Sequence, residues 1–291
     1  MPGARWFAGA RLNFAENLLR HGEANSMLRD SLAFMAFDES GAPPRTWTYS
    51  EVRSDVIRLA MALRAMGVGP GDRVAGILPN QPEAAVAMLA AVAVGASWSS
   101  CSPDFGAGAI EDRLGQVRPR VVFATSESIY RGKVLPQLDK ISKVMEVLPV
   151  DTRLIVAPYL PSHAAPDLDA LAPAARTRAT TMSDLLDAPS STSADLDSFA
   201  FAQREFDDEV YVMFSSGTTG RPKCMAQGSG VLLQHLKELT LHTDIDAKDR
   251  ILYYSTLSWM MWNWVTSALA TGATLVTYDG DPSYPRADRL W

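Results

Sequence analysis

Ten consecutive residues carry groups that could hold a polyphosphate. They read FSSGTTGRPK, run from Phe214 to Lys223 and follow an apolar stretch directly. Glycines allow the backbone to curl until several N–H groups converge on one anion. The hydroxyl groups add hydrogen-bond donors, and the lysine adds a mobile positive charge. The hydroxyl-bearing positions are Ser215, Ser216, Thr218 and Thr219, and the glycines are Gly217 and Gly220. This loop predicts binding of a nucleoside triphosphate.

The Walker A loop is a natural comparison, but its residue order differs. Pro222 precedes Lys223 and Cys224 follows it, whereas Walker A has glycine before the lysine and serine or threonine after it. Proline removes an N–H and favours extended geometry at Arg221, so the cradle must be a different one. The competing interpretation is a surface loop of small polar residues. We favour an anchored site, because we expect a buried strand just before the loop and a helix just after it.

The elements that position this loop alternate between helical and strand-like patterns. Ser50 can cap a first helix, Pro82 suits the first turn of another, and Gly95 suits its end. The sequence predicts strands at residues 72–79, 96–100, 120–125 and 208–214, helices near 107–116 and 228–244, and a further helix and strand between 129 and 147. Such alternation predicts an α/β fold of mainly parallel sheets flanked by helices.

Residues 157–198 interrupt this pattern. Their composition shifts to Ala, Pro, Ser and Asp, which indicates a loop excursion with at most one short helix near 182–186. His163 lies in this stretch with no neighbouring partner, and we expect an exposed loop histidine.

Composition and charge exclude several classes of function. The 291 residues are 47% hydrophobic and 21% charged, as in soluble globular proteins with a large core. The net charge of -6 argues against a general nucleic-acid binder. Two cysteines, Cys101 and Cys224, form no paired-ligand or disulfide pattern, so we expect a reducing compartment, with the cytoplasm as the location. The apolar stretch from Ala84 to Pro103 reads as a helix and a strand, so no membrane association is expected.

With these residues in view, FSSGTTGRPK resembles the phosphate-binding motif of the adenylate-forming (AMP-binding) enzymes, which include acyl-CoA synthetases, luciferases and peptide-synthetase adenylation domains. WFAGARLNFAENLL, at residues 6–19, resembles the entry segment of the branch that activates acetate and acetoacetate. Residues 234–264 look like the acetoacetate-activating members in particular. The resemblance covers nearly the whole chain and is weakest in the 157–198 excursion.

The resemblance implies a reaction and a set of ligands. ATP would activate a small carboxylate, here acetoacetate, to an acyl-adenylate with loss of pyrophosphate, and coenzyme A would then take the acyl group. Mg²⁺ would accompany the nucleotide. The resemblance assigns nucleotide binding to Ser216, Gly217, Thr218, Thr219, Gly220 and Lys223, with Lys223 as the catalytic residue.

The cluster SWMMWNW, at residues 258–264, has two interpretations. Aromatic and methionine side chains are more often core than ligand contacts, so a buried helix start is one. In the family, the equivalents of Trp259, Met260 and Met261 border the acyl pocket, and bulky side chains there would exclude long acyl tails. Relatives usually have glycine where this chain has Ser258.

Other candidate groups have ordinary explanations. His235, Glu238 and His242 can share one side of a helix, but their spacing is no recognised metal motif, and we predict no metal ligands among the side chains. Arg113 lies in a segment that meets coenzyme A in acetate-activating relatives, although a solvated helix face explains it. Cys224 lies beside Lys223, yet this chemistry needs no enzyme thiol.

Further motifs of the family have no counterpart here, so we expect an incomplete member. Residues 1–46 would be the entry segment and 47–291 part of the AMP-binding domain, without the C-terminal lid domain. Acetyl- or propionyl-CoA synthetase is the alternative activity. A truncated, inactive nucleotide-binding or interaction protein is the alternative of another class. The sequence does not indicate an oligomeric state.

Overall fold

The computed structural model describes residues 3–159, 165–188, 193–215 and 220–290. The strands are β1 (Arg11–Leu12), β2 (Leu32–Asp38), β3 (Arg45–Thr48), β4 (Arg73–Ile77), β5 (Ser97–Cys101), β6 (Val121–Thr125), β7 (Glu127–Tyr130), β8 (Lys133–Pro136), β9 (Arg153–Ala157), β10 (Ala179–Thr181), β11 (Arg204–Glu205), β12 (Glu209–Ser215), β13 (Lys223–Gly228), β14 (Arg250–Leu252) and β15 (Thr274–Asp279). The α-helices are α1 (Phe14–Leu19), α2 (Tyr49–Ala65), α3 (Pro82–Ala93), α4 (Ala107–Val117), α5 (Leu138–Val147), α6 (Pro173–Arg176), α7 (Met182–Leu186), α8 (Ser193–Asp197), α9 (Val231–Lys237) and α10 (Met260–Thr266).

Two mainly parallel sheets organise the chain. The larger has seven strands in the order β10-β9-β6-β4-β5-β12-β13, and only its last pair is antiparallel. The smaller has the order β14-β15-β2-β3, with β2 and β3 antiparallel. Two-stranded ladders join β1 to β11 and β7 to β8. The predicted α/β class is confirmed, and the order of the strands explains it, because parallel neighbours require crossover helices.

Helices cover both faces of the seven-stranded sheet. On one face, α1, α2 and α3 pack between the two sheets in a core that includes Phe34, Trp98 and Leu275. On the other face, α4 and α5 pack against alternate strand residues such as Ile77 and Val122. Every residue of α3 except Glu83 is buried, which explains why its sequence is apolar apart from that residue. Within the described residues, no helix is long and apolar enough to cross a membrane.

Three predicted elements differ from the structure. The cap of α2 is Thr48, not Ser50, because Thr48 and Glu51 form a reciprocal capping box. Residues 129–147 contain the predicted helix as α5, but the strand comes before it and not after it, in a hairpin of β7 and β8 that turns at Arg131 and Gly132 with φ of 50° and 72°. The loop predicted to bind phosphates (residues 214–223, here called the phosphate loop) leads into β13, which pairs antiparallel with β12, and not into a helix. The strand is largely exposed and so lacks a hydrophobic pattern.

The 157–198 stretch is also more ordered than predicted in its described part. It contains a 3₁₀ turn at Leu168–Ala170, the helices α6, α7 and α8, and the edge strand β10. β10 pairs in parallel with β9, so the stretch completes the larger sheet. His163 lies outside the described residues. The long helix predicted near 228–244 forms α9 followed by a π-helical turn at Glu238–His242. The domain boundary at residue 46 falls inside β3 and stays a prediction.

Candidate functional site

The carboxyl ends of strands from both sheets meet at one crevice. Residues that follow β4, β5 and β14, together with the end of β15, line a cavity of about 50 Å³. Its walls include Asn80, Ser102, Asp104, Tyr130, Tyr254 and Asp279. In open α/β sheets, ligands bind beyond the carboxyl ends of the strands. The crevice is therefore the expected location of a site in this fold.

The phosphate loop begins at the carboxyl end of β12, whose neighbour in the larger sheet is β5. Val212 of β12 is in parallel register with Ser99 of β5, and Ser215 lies opposite Lys223 across the β12–β13 pair. The ends of the loop are thus fixed by a strand pair. Ser216, Gly217, Thr218 and Thr219 lie outside the described residues.

Helix α4 holds the returning arm of the loop. The Gln116 side-chain amide donates to the Pro222 carbonyl at 3.0 Å, and the Arg221 guanidinium lies 3.4 Å from the Asp112 carboxylate. Gly220, also in this arm, adopts a φ of +93°, and among the described residues no atom beyond its chain neighbours lies within 4 Å of where a Cβ would stand. Glycine adopts this backbone conformation without strain and adds no side chain that would hinder the approach of an anion.

Lys223 is exposed at the base of the loop. Across the four described ranges, no carboxylate lies within ion-pair distance of its ammonium group. Its charge is therefore available to an incoming anion. The neighbouring Cys224 is exposed too, but the protein around its thiol removes part of the solvent and so raises the pKa of that thiol. A raised pKa disfavours the thiolate that a nucleophile would need.

The 258–261 segment is attached to the end of β5. The Ser102 backbone N–H donates to Ser258 Oγ at 2.8 Å, and Ser100 Oγ donates to the Leu257 carbonyl at 2.7 Å. Trp259 is 68% exposed and Met260 is 54% exposed, while Met261 is half-buried. These side chains therefore do not form the core that one interpretation predicted. Trp262, one residue further, does, with 3% exposure.

Asn80 and Asp279 connect α10 to the floor of the crevice. Trp262 Nε1 donates to Asn80 Oδ1 at 3.0 Å, and Asn80 N donates to Asp279 Oδ1 at 3.3 Å. The Tyr159 hydroxyl donates to Asp279 Oδ2 at 2.5 Å. Enclosure by protein raises the pKa of Asp279 to about 6, and the nearby carboxylates of Asp104 and Glu39 add to that direction.

Glu39 fixes the β7–β8 hairpin, which lines another side of the crevice. Its carboxylate accepts hydrogen bonds from the backbone N–H groups of Arg131, Gly132 and Asp281. The Arg131 guanidinium in turn lies 2.6 Å from the Asp281 carboxylate. Hydrogen bonds from Ser283, and then the one from Arg131, lower the pKa of Asp281 to about 2. The turn of the hairpin is thereby joined to the smaller sheet.

The remaining sequence candidates have structural partners. His235 is buried with its Nδ1 2.8 Å from Ser267 Oγ, and desolvation lowers its pKa to about 4. Glu238 accepts hydrogen bonds from Gln234 and Trp264. The Arg113 guanidinium lies over the rings of Phe105 and Phe214. A search of the described residues finds no group of His, Cys, Asp and Glu arranged to hold a metal ion.

Sequence reasoning missed two residues of the crevice, Asn80 and Asp279, and the hydrogen-bond partner of Asp279, which is Tyr159. Each follows or ends a parallel strand, and the rule that sites form at such ends could have indicated them. Their convergence from three separate strands depends on the relative placement of two sheets, which has no local signal.

Comparisons with known proteins agree with this geometry. The profile of the family described as AMP-binding enzyme matches residues 21–291. The chain is 43% identical over 287 residues to acetoacetyl-CoA synthetase of Rattus norvegicus, covering 98% of this chain and 41% of that protein. It is 41% identical over 292 residues to acetoacetyl-coenzyme A synthetase of Rhizobium meliloti (strain 1021), covering 100% of this chain and 42% of that protein.

A solved structure is similar over the same extent. Acetoacetyl-CoA synthetase from Streptomyces lividans superposes with a TM-score of 0.88 at 41% identity, covering 100% of this chain and 42% of that chain. The chain thus spans about two fifths of the length of the relatives that it matches. Because the family profile matches residues 21–291, the chain belongs to the family of AMP-binding enzymes.

Proposed function

We propose that the protein is an acetoacetate–CoA ligase that forms AMP, an acid–thiol ligase whose activity belongs to a polypeptide of the relatives' full length. A carboxylate oxygen of acetoacetate attacks the α-phosphorus of ATP, the bond to the bridging oxygen breaks, and pyrophosphate leaves. The thiol of coenzyme A then attacks the acyl carbon, AMP leaves, and the thiol proton is released. The products are acetoacetyl-CoA, AMP and pyrophosphate.

One observation carries this proposal beyond family membership. The strand that leads into the phosphate loop and the segment that holds Trp259 are both attached to the end of β5, through the β12 register and through the Ser102–Ser258 hydrogen bond. Adenylate formation requires a phosphate group and a carboxylate to be held side by side, and fixed neighbouring supports supply that proximity. The geometry therefore supports one site for both substrates.

We assign the nucleotide contacts to Ser216, Gly217, Thr218, Thr219, Gly220 and Lys223. The open backbone at Gly220 and the exposed Lys223 ammonium support this assignment. Negative charge accumulates on the leaving pyrophosphate, and donors already in place at that position lower the barrier. Mg²⁺, when bound to the nucleotide, would neutralise part of the same charge. We predict that no side chain of the described residues coordinates this Mg²⁺ ion.

We assign the acyl end to Trp259, Met260 and Met261. The exposure of Trp259 and Met260 at the start of α10 supports this assignment, because large exposed apolar side chains often mark a surface that a ligand or another part of the protein covers. Large side chains there would leave a short slot, which suits a four-carbon acid. Discrimination by an apolar pocket is modest, at roughly 10- to 200-fold for each methylene, so related short acids should be slow substrates.

The experiment is pyrophosphate release by the full-length enzyme with ATP, coenzyme A and one acid at a time. We expect the highest kcat/KM with acetoacetate, and lower values with acetate and propionate. A preference for acetate or propionate would instead indicate an acetyl- or propionyl-CoA synthetase. Absence of pyrophosphate with all three acids would overturn the proposed reaction and would favour a nucleotide-binding protein without ligase activity.

A further inference from the structure

The segment proposed to border the acyl slot is not held in place by its own side chains. Trp259 and Met260 are mostly exposed, and the first residue of α10 follows a turn closed by the Trp259 N–H donating to the Thr256 carbonyl at 3.1 Å. The Trp259 side chain caps no N–H at the start of α10. The location of this turn therefore depends on the contacts that Leu257 and Ser258 make with the end of β5.

Two hydrogen bonds supply those contacts, and both end on the same strand. Ser100 Oγ donates to the Leu257 carbonyl at 2.7 Å, and Ser258 Oγ accepts from the Ser102 N–H at 2.8 Å. Ser102 is 4% exposed, so its N–H would have no ready replacement by solvent. Among the described residues, the Ser258 hydroxyl is the only side-chain group of residues 258–260 that forms a hydrogen bond to the end of β5.

We propose that Ser258 is a positioning residue for acyl selection, because its hydroxyl oxygen holds the start of α10 against the carboxyl end of β5. This inference rests on the proposed ligase function and deepens it. Without the hydroxyl, the turn would keep its closure by Thr256 and its contact through Leu257, and α10 would keep the Trp262–Asn80 hydrogen bond. The turn itself would have one contact fewer with the end of β5, so Trp259 could shift relative to that strand. The acyl slot would then widen, while the β12–β13 pair that supports the phosphate loop would be unchanged.

The test compares Ser258→Ala and Ser258→Gly with wild type in the full-length enzyme. The loss of one net hydrogen bond predicts a rise of roughly five- to tenfold in KM for acetoacetate. We expect KM for ATP to stay within about twofold. The preference for acetoacetate over 3-oxohexanoate, measured as a ratio of kcat/KM, should fall by a similar factor. Ser258→Thr retains the hydroxyl oxygen and should restore both values.

Ser97→Ala is the matched control. Ser97 is buried at the opposite end of β5, and its hydroxyl donates to Glu209 at 2.6 Å. This variant also removes a serine hydrogen bond from the strand, and thermal melting should show a loss of stability comparable to that of Ser258→Ala. The choice between acetoacetate and 3-oxohexanoate should not change. A merely structural role for Ser258 would make the two variants behave alike.

The outcomes separate this inference from the proposed function. If the wild-type enzyme is active with acetoacetate but Ser258→Ala and Ser258→Gly keep its acyl selectivity, only the positioning role of Ser258 is overturned. Equal rises in KM for acetoacetate and ATP also overturn it. A wild-type enzyme that releases no pyrophosphate with any short acid overturns the ligase function, and the inference with it.

Discussion

The Tyr159 hydroxyl donates a 2.5 Å hydrogen bond to the Asp279 carboxylate, and this contact joins the chain after β9 of the larger sheet to the end of β15 in the smaller one. Asp279 Oδ1 also accepts from the Asn80 N–H. The carboxylate is enclosed by protein although the residue retains some accessible surface. Enclosure raises its pKa from 3.8 to about 6, so the folded state retains the proton to a higher pH than the unfolded chain does.

The first prediction concerns the pH dependence of stability. Because the folded pKa of Asp279 is the higher one, its stabilising contribution is complete below about pH 4 and is lost as the pH rises through 6. A difference of about two pKa units corresponds to roughly 3 kcal/mol. In Asp279→Asn, an amide that cannot ionise, the free energy of unfolding should fall less between pH 4 and pH 7 than in wild type.

Urea denaturation at several pH values measures this difference. Asp151→Asn, on an exposed turn, controls for the loss of one negative charge. Desolvation also raises the pKa of Asp55 to about 6. Asp55→Asn should therefore make its own, separate reduction in the change of the free energy of unfolding with pH. A pH profile of Asp279→Asn that superposes on that of wild type would contradict the prediction.

The second prediction concerns Asn13, which is 0% exposed and joins the entry segment to the core. Its amide nitrogen donates to the carbonyls of Val92 and Ala202 at 2.9 and 2.8 Å, and its Oδ1 accepts from the Glu16 N–H at the start of α1. Asn13→Ala removes a helix cap and leaves buried carbonyls without a donor, so it should cost about 3 kcal/mol.

Asn13→Asp separates the two roles of this side chain. The aspartate oxygen could still cap α1, but a carboxylate would replace the amide that faces the two carbonyls. We therefore expect the aspartate variant to be at least as unstable as the alanine variant in urea denaturation. Asn17→Ala serves as the control. The side-chain amide that this variant removes donates to the Asn13 carbonyl at 2.9 Å. An aspartate variant as stable as wild type would assign the whole effect to capping.

The predictability of each element from sequence follows from where its information lies. All five residues of β6 are buried and four of them are apolar, so a local apolar run predicted that strand almost to the residue. In β13, the first four residues are exposed and the pairing partner is β12, so the strand depends on its neighbour and not on its own pattern. The phosphate loop was identified from its composition, whereas its support by Gln116 required the fold.

The third prediction tests that support. Gln116→Ala removes the hydrogen bond from α4 to the Pro222 carbonyl, so the returning arm of the phosphate loop should be less ordered. Because the contact is exposed, we expect a modest rise in KM for ATP, roughly two- to fivefold, with little change in melting temperature. Gln234→Ala, on α9, removes an exposed hydrogen bond to Glu238 and should leave KM for ATP unchanged. Equal effects of the two variants would exclude a specific role for Gln116.

The fourth prediction concerns Lys223, which lies opposite Ser215 and is exposed without a carboxylate in ion-pair range among the residues that the structure describes. Loss of one preorganised charge or donor at a developing anion typically costs 10²- to 10³-fold in rate. Lys223→Met should therefore slow ATP–pyrophosphate exchange with acetoacetate by roughly that factor. Lys223→Arg should recover part of the loss, since the charge remains while its geometry changes. Lys237→Met, on the exposed side of α9, is the control and should catalyse ATP–pyrophosphate exchange at the wild-type rate. If the exchange rate of Lys223→Met lies within threefold of this control, Lys223 is not a catalytic residue.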